Sequence, residues 1–317
     1  MLNTYSFLEN AATQWPNKPA VHDQQGTITF LQLFAETEKL KQQLAENKIG
    51  KGCGLGIICK NNRNFIIALF GGLASGATVL PIAHHLQKAE REKLFSEANL
   101  HAVIEETDSG EFRLVNHRGA DTPTFAPHIP NAAFVRFTSG TTGTSKGVII
   151  SHQSVLERCE AANKALQLNE NDCVIWVLPM AYHFVVSVIL YVKVGAAIAI
   201  CNDFTASSIL HYANKYKGTL LYASPMHIRL LAADTGTQQF SNMKRVISTS
   251  TAIPVQYAQA FNNRYGLVVQ QAFGIIEVGL PVINTQSAAE HPEAIGHALP
   301  DYAVELLDDD FNVLPEG

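Results

Sequence analysis

The chain has 317 residues, of which 47% are hydrophobic and 16% are charged. This composition supplies enough apolar side chains for a buried core, and it predicts one large globular domain or two interlocked subdomains. The formal net charge of −5 at pH 7 argues against a nucleic-acid-binding protein, which needs a basic patch or stripe.

The cysteines and the N-terminal segment both point to a reducing, cytoplasmic setting. The first 15 residues carry the acidic Glu9 and no basic residue ahead of an apolar run, which is not the pattern of a secretory signal. The cysteine count is odd and no Cys-x-x-Cys pair occurs, so neither a disulfide framework nor a structural zinc site is indicated. The five residues are Cys53, Cys59, Cys159, Cys173 and Cys201.

Two apolar stretches, 65–83 and 174–201, are long enough to cross a membrane by length alone. Glycines and Pro81 interrupt the first stretch, and the second contains Pro179 and Lys193. Such runs are also typical of a helix that leads into a strand buried on both faces of a parallel sheet. We therefore predict no transmembrane segment.

Helix and strand patterns alternate along the first third of the chain. Apolar residues at helical spacing predict helices, and short β-branched runs beside turn residues predict strands. This alternation predicts βα units around mainly parallel sheets. The predicted elements are helix 7–15, strands 20–22 and 27–29, helix 30–46, strand 54–59, a helix from residue 64, strand 78–82, helix 88–98 and strand 102–105.

The remaining chain changes character twice. Residues 107–131 are polar and proline-rich, which predicts a loop or an irregular hairpin, and alternation then resumes as far as residue 222. Residues 302–307 and 311–313 predict a hairpin around an acidic turn. We expect one incomplete domain with a first α/β subdomain at about 1–172, a second at 173–285 and the start of a β-rich part at 286–317.

A loop rich in glycine and hydroxyl groups lies between two apolar segments, with the sequence FTSGTTGTSKG at 137–147. Glycines allow backbone N–H groups to converge on an anion, the hydroxyls add donors, and Lys146 adds a positive charge. The spacing differs from a Walker P-loop, since Gly140 and Gly143 are too close together and Gly147 follows the lysine. The pattern predicts a phosphate-binding loop, and the alternative is a flexible surface loop.

This loop closely resembles the signature loop of the adenylate-forming superfamily, which includes acyl-CoA synthetases, aryl-acid ligases, luciferases and the adenylation domains of peptide synthetases. The sequence departs from the usual form at Ser145, where proline is common. The resemblance implies a catalytic role for Lys146. It also implies that ATP phosphates are bound by Thr138, Ser139, Gly140, Thr141, Thr142 and Gly143.

Two further segments, 247–254 and 271–277, resemble the superfamily's adenine-binding segments. The resemblance places Glu277 as a catalytic residue and Mg²⁺ ligand, a role that suits a carboxylate shared with substrate phosphates. Ile276 departs from the usual threonine, whose hydroxyl faces the α-phosphate. Losing such a donor costs about 2.7–4 kcal/mol where it has been measured. The implied adenine-binding residues are Ser250, Thr251, Phe273 and Gly274.

Residues 178–184 resemble the segment that shapes the acyl pocket. The resemblance gives His183 a catalytic, gating role and adds Phe184 and Ala272 to the pocket; a structural histidine is the alternative. No acidic residue occurs between residues 174 and 201, which disfavours an amino-acid substrate because its ammonium would lack a partner. We expect a hydrophobic acyl or aryl acid. His152, which follows the loop's second strand, is expected to be structural.

The resemblance implies the layered αβαβα fold of the large N-terminal domain of these enzymes, with two mainly parallel sheets. It further implies that the protein uses ATP and Mg²⁺ to convert a small-molecule carboxylate to its acyl-adenylate. The acyl group then passes to coenzyme A or to the phosphopantetheine of a carrier protein. We expect no C-terminal small domain in this sequence and slow turnover by the chain alone. The alternatives are a degenerate, non-catalytic nucleotide- or acyl-binding module and another phosphate-binding enzyme such as a kinase.

Overall fold

The computed structural model of the chain describes residues 2–117, 124–138 and 146–314. The first described stretch alternates helices and strands as the sequence predicts. The long helix α2 begins at a capping box, in which Thr29 and Gln32 each bond the other's backbone N–H. These elements are α1 (Ser6–Gln14), β1 (Pro19–Asp23), β2 (Gly26–Thr29), α2 (Phe30–Glu46), β3 (Gly54–Cys59), α3 (Arg63–Ser75), β4 (Thr78–Ala83), α4 (Lys88–Ala98), β5 (Ala102–Glu106) and β6 (Phe112–Asn116).

The second part of the chain continues the alternation. A π-helix, Val185–Ile189, runs directly into the short helix α6. The elements are β7 (Ala132–Thr138), β8 (Lys146–Ser151), α5 (His152–Leu166), β9 (Cys173–Trp176), α6 (Leu190–Lys193), β10 (Ala197–Ile200), α7 (Ala206–Lys215), β11 (Leu220–Ala223), α8 (Pro225–Ala232), β12 (Arg245–Ser248), α9 (Val255–Tyr265), β13 (Val269–Ile275), β14 (Gly279–Ile283) and β15 (His297–Ala298).

The strands form two mainly parallel sheets, which confirms that prediction. The first sheet has the order β6-β5-β3-β4-β7-β8, and only its outer pairs β5–β6 and β7–β8 are antiparallel. The second has the order β15-β14-β13-β12-β11-β9-β10-β1-β2. Its central strands are parallel, and antiparallel pairs stand at both ends.

The predicted boundary at residue 172 does not fully separate the strands of the two sheets. The β1–β2 hairpin belongs to the first predicted subdomain, yet β1 pairs in parallel with β10 of the second sheet. Side chains of β1 point into the core shared by both sheets, including Val21, which is fully buried. Local sequence patterns specify that hairpin but not the sheet that it joins.

Three buried clusters show how the layers stack. One cluster packs α4 on the first sheet, and another packs α7, α8 and α9 on the second sheet. The largest cluster combines side chains of both sheets with α1, α2, α3 and α5. The order is therefore helix, sheet, helices, sheet, helices, which is the predicted αβαβα arrangement.

The two apolar stretches that raised the membrane question lie inside this core. Residues 65–83 form most of α3 and all of β4, and every residue of β4 is buried. Gly72 lets α3 approach the sheet closely, because a Cβ there would lie 2.6 Å from Cγ2 of Val79. No helix in the described part of the chain is long and apolar enough to cross a membrane.

The last described residues differ from the predicted hairpin. Strand β15 adds to the edge of the second sheet beside β14. Farther on, the chain makes a tight turn in which Asp308 accepts backbone N–H bonds from Asp310 and Asn312. A single bridge between Leu307 and Val313 closes this turn. The acidic turn is where the sequence placed it, but the flanking segments do not pair as extended strands.

Candidate active site

The predicted phosphate loop joins two paired strands. Thr138 ends β7 directly opposite Lys146, the first residue of β8. The backbone of Thr138 and the exposed Lys146 are described, whereas the side chain of Thr138 lies outside the described part. The described part leaves out five further loop residues entirely: Ser139, Gly140, Thr141, Thr142 and Gly143. The flanking strands are confirmed, and the loop's contacts with ATP stay a prediction.

A cavity of about 130 Å³ lies where several predicted site segments meet. Four predicted residues line it: His183 and Phe184 from the acyl segment, and Ser250 and Gly274 from the adenine segments. Its wall is formed by residues 182–187, 222, 249–250, 274–276 and 279–280, together with Arg158 of α5. The structure therefore brings the predicted acyl and adenine segments together on one cavity.

Other predicted residues lie away from this cavity wall. Ala272 is buried within β13, only 5% exposed, whereas Phe273 is 45% exposed. Thr251 and Glu277 are exposed as well. The strand pair β13–β14 is irregular between Phe273 and Ile275, and Glu277 lies in the turn that joins the two strands. The roles assigned to these residues remain predictions.

Ser250 has an unusual backbone conformation beside the cavity. Its φ is 81°, in the left-handed region that side chains other than glycine rarely adopt. Strand β12 ends at Ser248, and both Ser248 and the following Thr249 are buried. Residues held in such conformations cluster at ligand sites because the surrounding structure must fix them. The strain marks this turn as a candidate binding element.

The imidazole of His183 is held in its neutral form. Burial, and secondarily the guanidinium of Arg136, lower the pKa of His183 to about 4. Arg136 lies in turn beneath the ring of Tyr182, 4.4 Å from its centroid. A neutral imidazole has one N–H donor and one acceptor nitrogen. His183 can therefore donate a hydrogen bond to a carboxylate without bringing a net charge into the cavity.

A π-helix, Val185–Ile189, forms part of the cavity wall. The ring of buried Phe184 packs edge-on against Phe134, with centroids 4.9 Å apart. From Phe184 the chain enters the π-helix, in which the N–H of Ile189 donates to the Phe184 carbonyl at 3.0 Å. Such wide turns often occur at functional sites. Ser187, within this turn, is 3% exposed, and its hydroxyl has no hydrogen-bond partner among the described residues.

Arg158 is a site residue that the sequence did not suggest. It projects from α5 and donates to the carbonyls of Ile276 and Glu277, both at 2.7 Å. Gly279 makes room for it, because a Cβ there would lie 3.2 Å from the Arg158 side chain. Burial lowers the pKa of Arg158. A charged residue on an amphipathic helix carries no local signal of a cavity, so only the fold could reveal it.

Tyr222 is a second residue that the sequence did not suggest. It is the penultimate residue of β11, and its hydroxyl is hydrogen-bonded to Thr249. Its ring stacks on Trp176, with centroids 6.1 Å apart and planes 9° from parallel. Both Tyr222 and Thr249 line the cavity. The two residues thus form one hydrogen-bonded part of the cavity wall.

A family model for AMP-binding enzymes matches residues 8–317, which is nearly the whole chain. The chain belongs to the AMP-binding enzyme family. The match confirms the resemblance to adenylate-forming enzymes that the loop and the two adenine segments indicated.

Individual relatives of this AMP-binding chain are distant. The sulfoacetate–CoA ligase of Cupriavidus necator is 26% identical over 304 residues, which cover 86% of this chain and 59% of that relative. Zwittermicin A synthase ZmaJ of Bacillus cereus is 21% identical over 342 residues, covering 98% of this chain and 65% of that relative. The chain thus spans about 60% of the length of these two relatives.

A solved structure confirms the predicted fold class. The anthranilate CoA ligase AuaEII, solved in complex with anthranoyl-AMP, superposes with a TM-score of 0.87 at 20% identity. The superposition covers 99% of this chain and 67% of that one. The fold is that of the N-terminal domain of adenylate-forming enzymes.

Glu277 can be tested as a metal ligand of this AMP-binding domain. Its carboxylate is exposed and forms no ion pair with another described residue. The described residues contain no cluster of three or more His, Cys, Asp or Glu side chains that could hold a metal ion. A single free carboxylate still fits Mg²⁺, because this ion keeps several waters and is often held by one or two carboxylates plus substrate phosphates.

Ile276 sets this domain apart from the usual family pattern. Its side chain is half-buried, packs against the main core and lines the cavity. Isoleucine has no donor for a phosphate oxygen. The wall therefore presents an apolar surface where the resemblance leads us to expect a hydroxyl.

Proposed function

We propose that this protein uses ATP to activate a carboxylic acid. A carboxylate oxygen attacks the α-phosphorus of ATP, and the bond to pyrophosphate breaks, which leaves an acyl-adenylate. A thiol sulfur then attacks the acyl carbon, and AMP leaves. The observation that supports this proposal best is the shared cavity, because His183 and Phe184 of the acyl segment line it together with Ser250 and Gly274 of the adenine segments.

The charges around the cavity suit an acid rather than an amine. The described residues that line it include no aspartate or glutamate, and Arg158 is the charged one among them. An ammonium group there would be desolvated without a counter-ion, which is costly. A carboxylate, in contrast, can accept a hydrogen bond from neutral His183. This asymmetry supports a carboxylic acid without an amino group.

The phosphates of ATP are expected at the other side of the site. Lys146 and the loop before it supply positive charge and N–H donors, and they would hold the β- and γ-phosphates. Mg²⁺, held by Glu277 and the phosphates, would neutralise charge that develops on the departing pyrophosphate. Positioning and charge stabilisation would then account for most of the rate enhancement.

The thiol acceptor is proposed from the family. The ligase of Cupriavidus necator is named for coenzyme A, and the resemblance to peptide-synthetase adenylation domains supports a carrier-protein phosphopantetheine instead. Incubating the protein with ATP, an acid and either acceptor separates the two, since only the true acceptor releases AMP in proportion to thioester. We predict slow turnover by the 317-residue chain alone. Rapid acyl-AMP formation by the purified chain would contradict that prediction.

Ile276 favours a second candidate, a non-catalytic module that binds a nucleotide or acyl ligand. The two candidates predict different responses to Ile276→Thr, which restores the usual hydroxyl. An adenylating enzyme with a weakened site should gain in acid-dependent pyrophosphate release, up to about 100-fold if no other group replaces the donor. A module that only binds should release no pyrophosphate in either form. Acid-dependent pyrophosphate release from wild type and variant is the deciding measurement.

A further inference from the structure

The cavity has two polar groups that the proposed adenylation step does not use. The five N–H donors of Arg158 include two that are bonded to carbonyls, and no carboxylate of the described residues forms an ion pair with its guanidinium. The hydroxyl of Ser187 is buried without a partner. Buried polar groups are normally hydrogen-bonded, because leaving them without a partner is costly; this applies to Ser187, which is 3% exposed, whereas Arg158 is half-buried. Both residues line the same cavity.

The fold holds these two groups on adjoining elements. Cys159, next to Arg158 on α5, directs its thiol to the carbonyl of Val185 at 3.3 Å, two residues before Ser187. Helix α5 is thereby fixed against the π-helix that carries the orphan hydroxyl. Burial lowers the pKa of Arg158, and Tyr302 and then Glu277 partly offset this effect; Arg158 is hydrogen-bonded to Glu277 through the backbone carbonyl only. The guanidinium thus keeps donors for a further anion.

The size of the cavity limits what can enter. Its volume is about 130 Å³. An apolar cavity of about 150 Å³ holds one benzene molecule. A short acyl group of a few carbons therefore fits within it.

We propose that the substrate is a short carboxylic acid with a second anionic group at its far end, which Arg158 binds with help from the Ser187 hydroxyl. This inference rests on the proposed function and refines the expectation of a hydrophobic acid. Valine side chains at 185 and 186 contact the short apolar stem, and the far carboxylate or sulfonate takes up the unused donors. Arginine suits this role because its planar donors match carboxylate and sulfonate oxygens.

The test is calorimetric titration of the full chain with non-hydrolysable acyl-sulfamoyl-adenosine mimics that differ only at the far end of the acyl group. Succinyl and 3-sulfopropanoyl mimics carry the anion, succinamoyl is a neutral polar match, and pentanoyl is apolar. We expect both anionic mimics to bind at least about tenfold tighter than the pentanoyl mimic. The succinamoyl mimic should bind more weakly than the anionic mimics and more tightly than the pentanoyl mimic. Whichever anionic mimic binds tighter identifies the far group as carboxylate or sulfonate.

Two arginine variants locate the source of the preference. Arg158→Met should reduce the tenfold preference to within about twofold, and Arg158→Lys should keep part of it because the charge remains. Arg245→Met is the matched control, since Arg245 also donates to main-chain carbonyls but does not line the cavity. It should leave the preference unchanged. Ser187→Ala should weaken the anionic mimics several-fold and spare pentanoyl.

The outcomes separate this inference from the proposed function. If wild-type protein binds pentanoyl as tightly as the anionic mimics, the second anionic group is wrong, while the adenylate site stands. If no mimic binds, the proposed function and this inference are both overturned. The four mimics are compared on wild-type protein. The test therefore stays decisive even if a variant fails to fold.

Discussion

Polar groups of similar kinds lie on helix α5 or donate to its carbonyls, in two different settings. At its ends they are structural: His152 accepts the backbone N–H of Thr4 at 3.1 Å, and Arg245 donates to the carbonyls of Ala165 and Leu166. In its middle, Arg158 also donates to two carbonyls, yet it lines the cavity. One helix thus joins the structural core to the candidate site.

The comparison shows that burial alone does not identify a functional group. Burial lowers the pKa of both Arg158 and Arg245, and it lowers the pKa of both His152 and His183 to about 4. The difference lies in what each group faces. His152 lines a different cavity, beside residues 2–3 and 124–132, and its Nδ1 is already bonded to Thr4, whereas His183 and Arg158 face the candidate site with donors to offer.

The largest effect is expected at the phosphate side of the site. Lys146→Ala removes the positive charge at the end of the loop, and acid-dependent pyrophosphate release should fall by about 100-fold or more, as for other single groups that stabilise developing charge. Lys88→Ala is the control, because Lys88 is an exposed lysine on α4 whose ion-pair partner, Glu92, is 3.7 Å away. Equal activity in the two variants would contradict the assignment of Lys146.

The structural histidine should make stability depend on pH. His152 is neutral when folded, with a pKa lowered to about 4 from 6.5, so the unfolded chain takes up a proton first as pH falls. The contribution of His152 to the free energy of unfolding is therefore fully present above pH 6.5 and is lost as the pH falls from 6.5 to 4. At pH 5 the loss from this residue should be on the order of 1–2 kcal/mol.

His152→Asn isolates that contribution. The asparagine oxygen can accept the Thr4 N–H in place of Nδ1, but it cannot be protonated in this range. Urea unfolding at pH 7 and pH 5 should show a smaller loss of unfolding free energy in the variant than in wild type. Part of the pH dependence of the unfolding free energy should remain in the variant, because other buried histidines contribute to it. His227 is one of them, since its pKa is also lowered to about 4. If the variant and wild type lose the same unfolding free energy between pH 7 and pH 5, His152 does not titrate as described.

Ser187→Ala should make the protein more stable by about 1 kcal/mol, because a buried hydroxyl without a partner costs roughly 1–3 kcal/mol. Ser75→Ala is the matched control, since the Ser75 hydroxyl donates to the Gly72 carbonyl at 2.8 Å. The control should lose stability. Chemical unfolding of both variants is the measurement, and a similar loss in both would show that Ser187 has a partner.

The smallest effect is expected at the strained turn. Ser250→Gly relieves a left-handed backbone at a cost of about 0.5–1 kcal/mol in chain entropy, against strain of roughly 1–2 kcal/mol. A net gain of about 0.5 kcal/mol in unfolding free energy should follow. Thr251→Gly, at a position without positive φ, should instead destabilise. If both substitutions destabilise equally, the turn at Ser250 is not strained.

Local patterns in the sequence predicted much of the fold. The bounds of α2, β3 and α4 agree with the predicted 30–46, 54–59 and 88–98, since capping residues and apolar runs specify them locally. The pairing of β1 with β10 could not be predicted, because it depends on contacts between distant parts of the chain.

The residues of the candidate site also fall into two groups: those that local motifs identify and those that only tertiary contacts bring to the site. His183, Phe184, Ser250 and Gly274 lie in segments with recognisable motifs, and all four line the cavity. Arg158 and Tyr222 belong to an ordinary helix and an ordinary strand, and only the packing of α5 and β11 brings them to the same wall. A motif identifies residues that chemistry requires, but the rest of a pocket is assembled by tertiary contacts.

The most direct test of an adenylate site in this chain is thermal unfolding with non-hydrolysable acyl-adenylate mimics. A mimic present at 100 times its Kd should stabilise the folded chain by about 2.7 kcal/mol, and Lys146→Ala should keep most of this shift, since the mimic lacks the β- and γ-phosphates. A clear, saturable rise in Tm with at least one acyl or aryl mimic is the predicted result. The absence of any shift across the series would contradict the account.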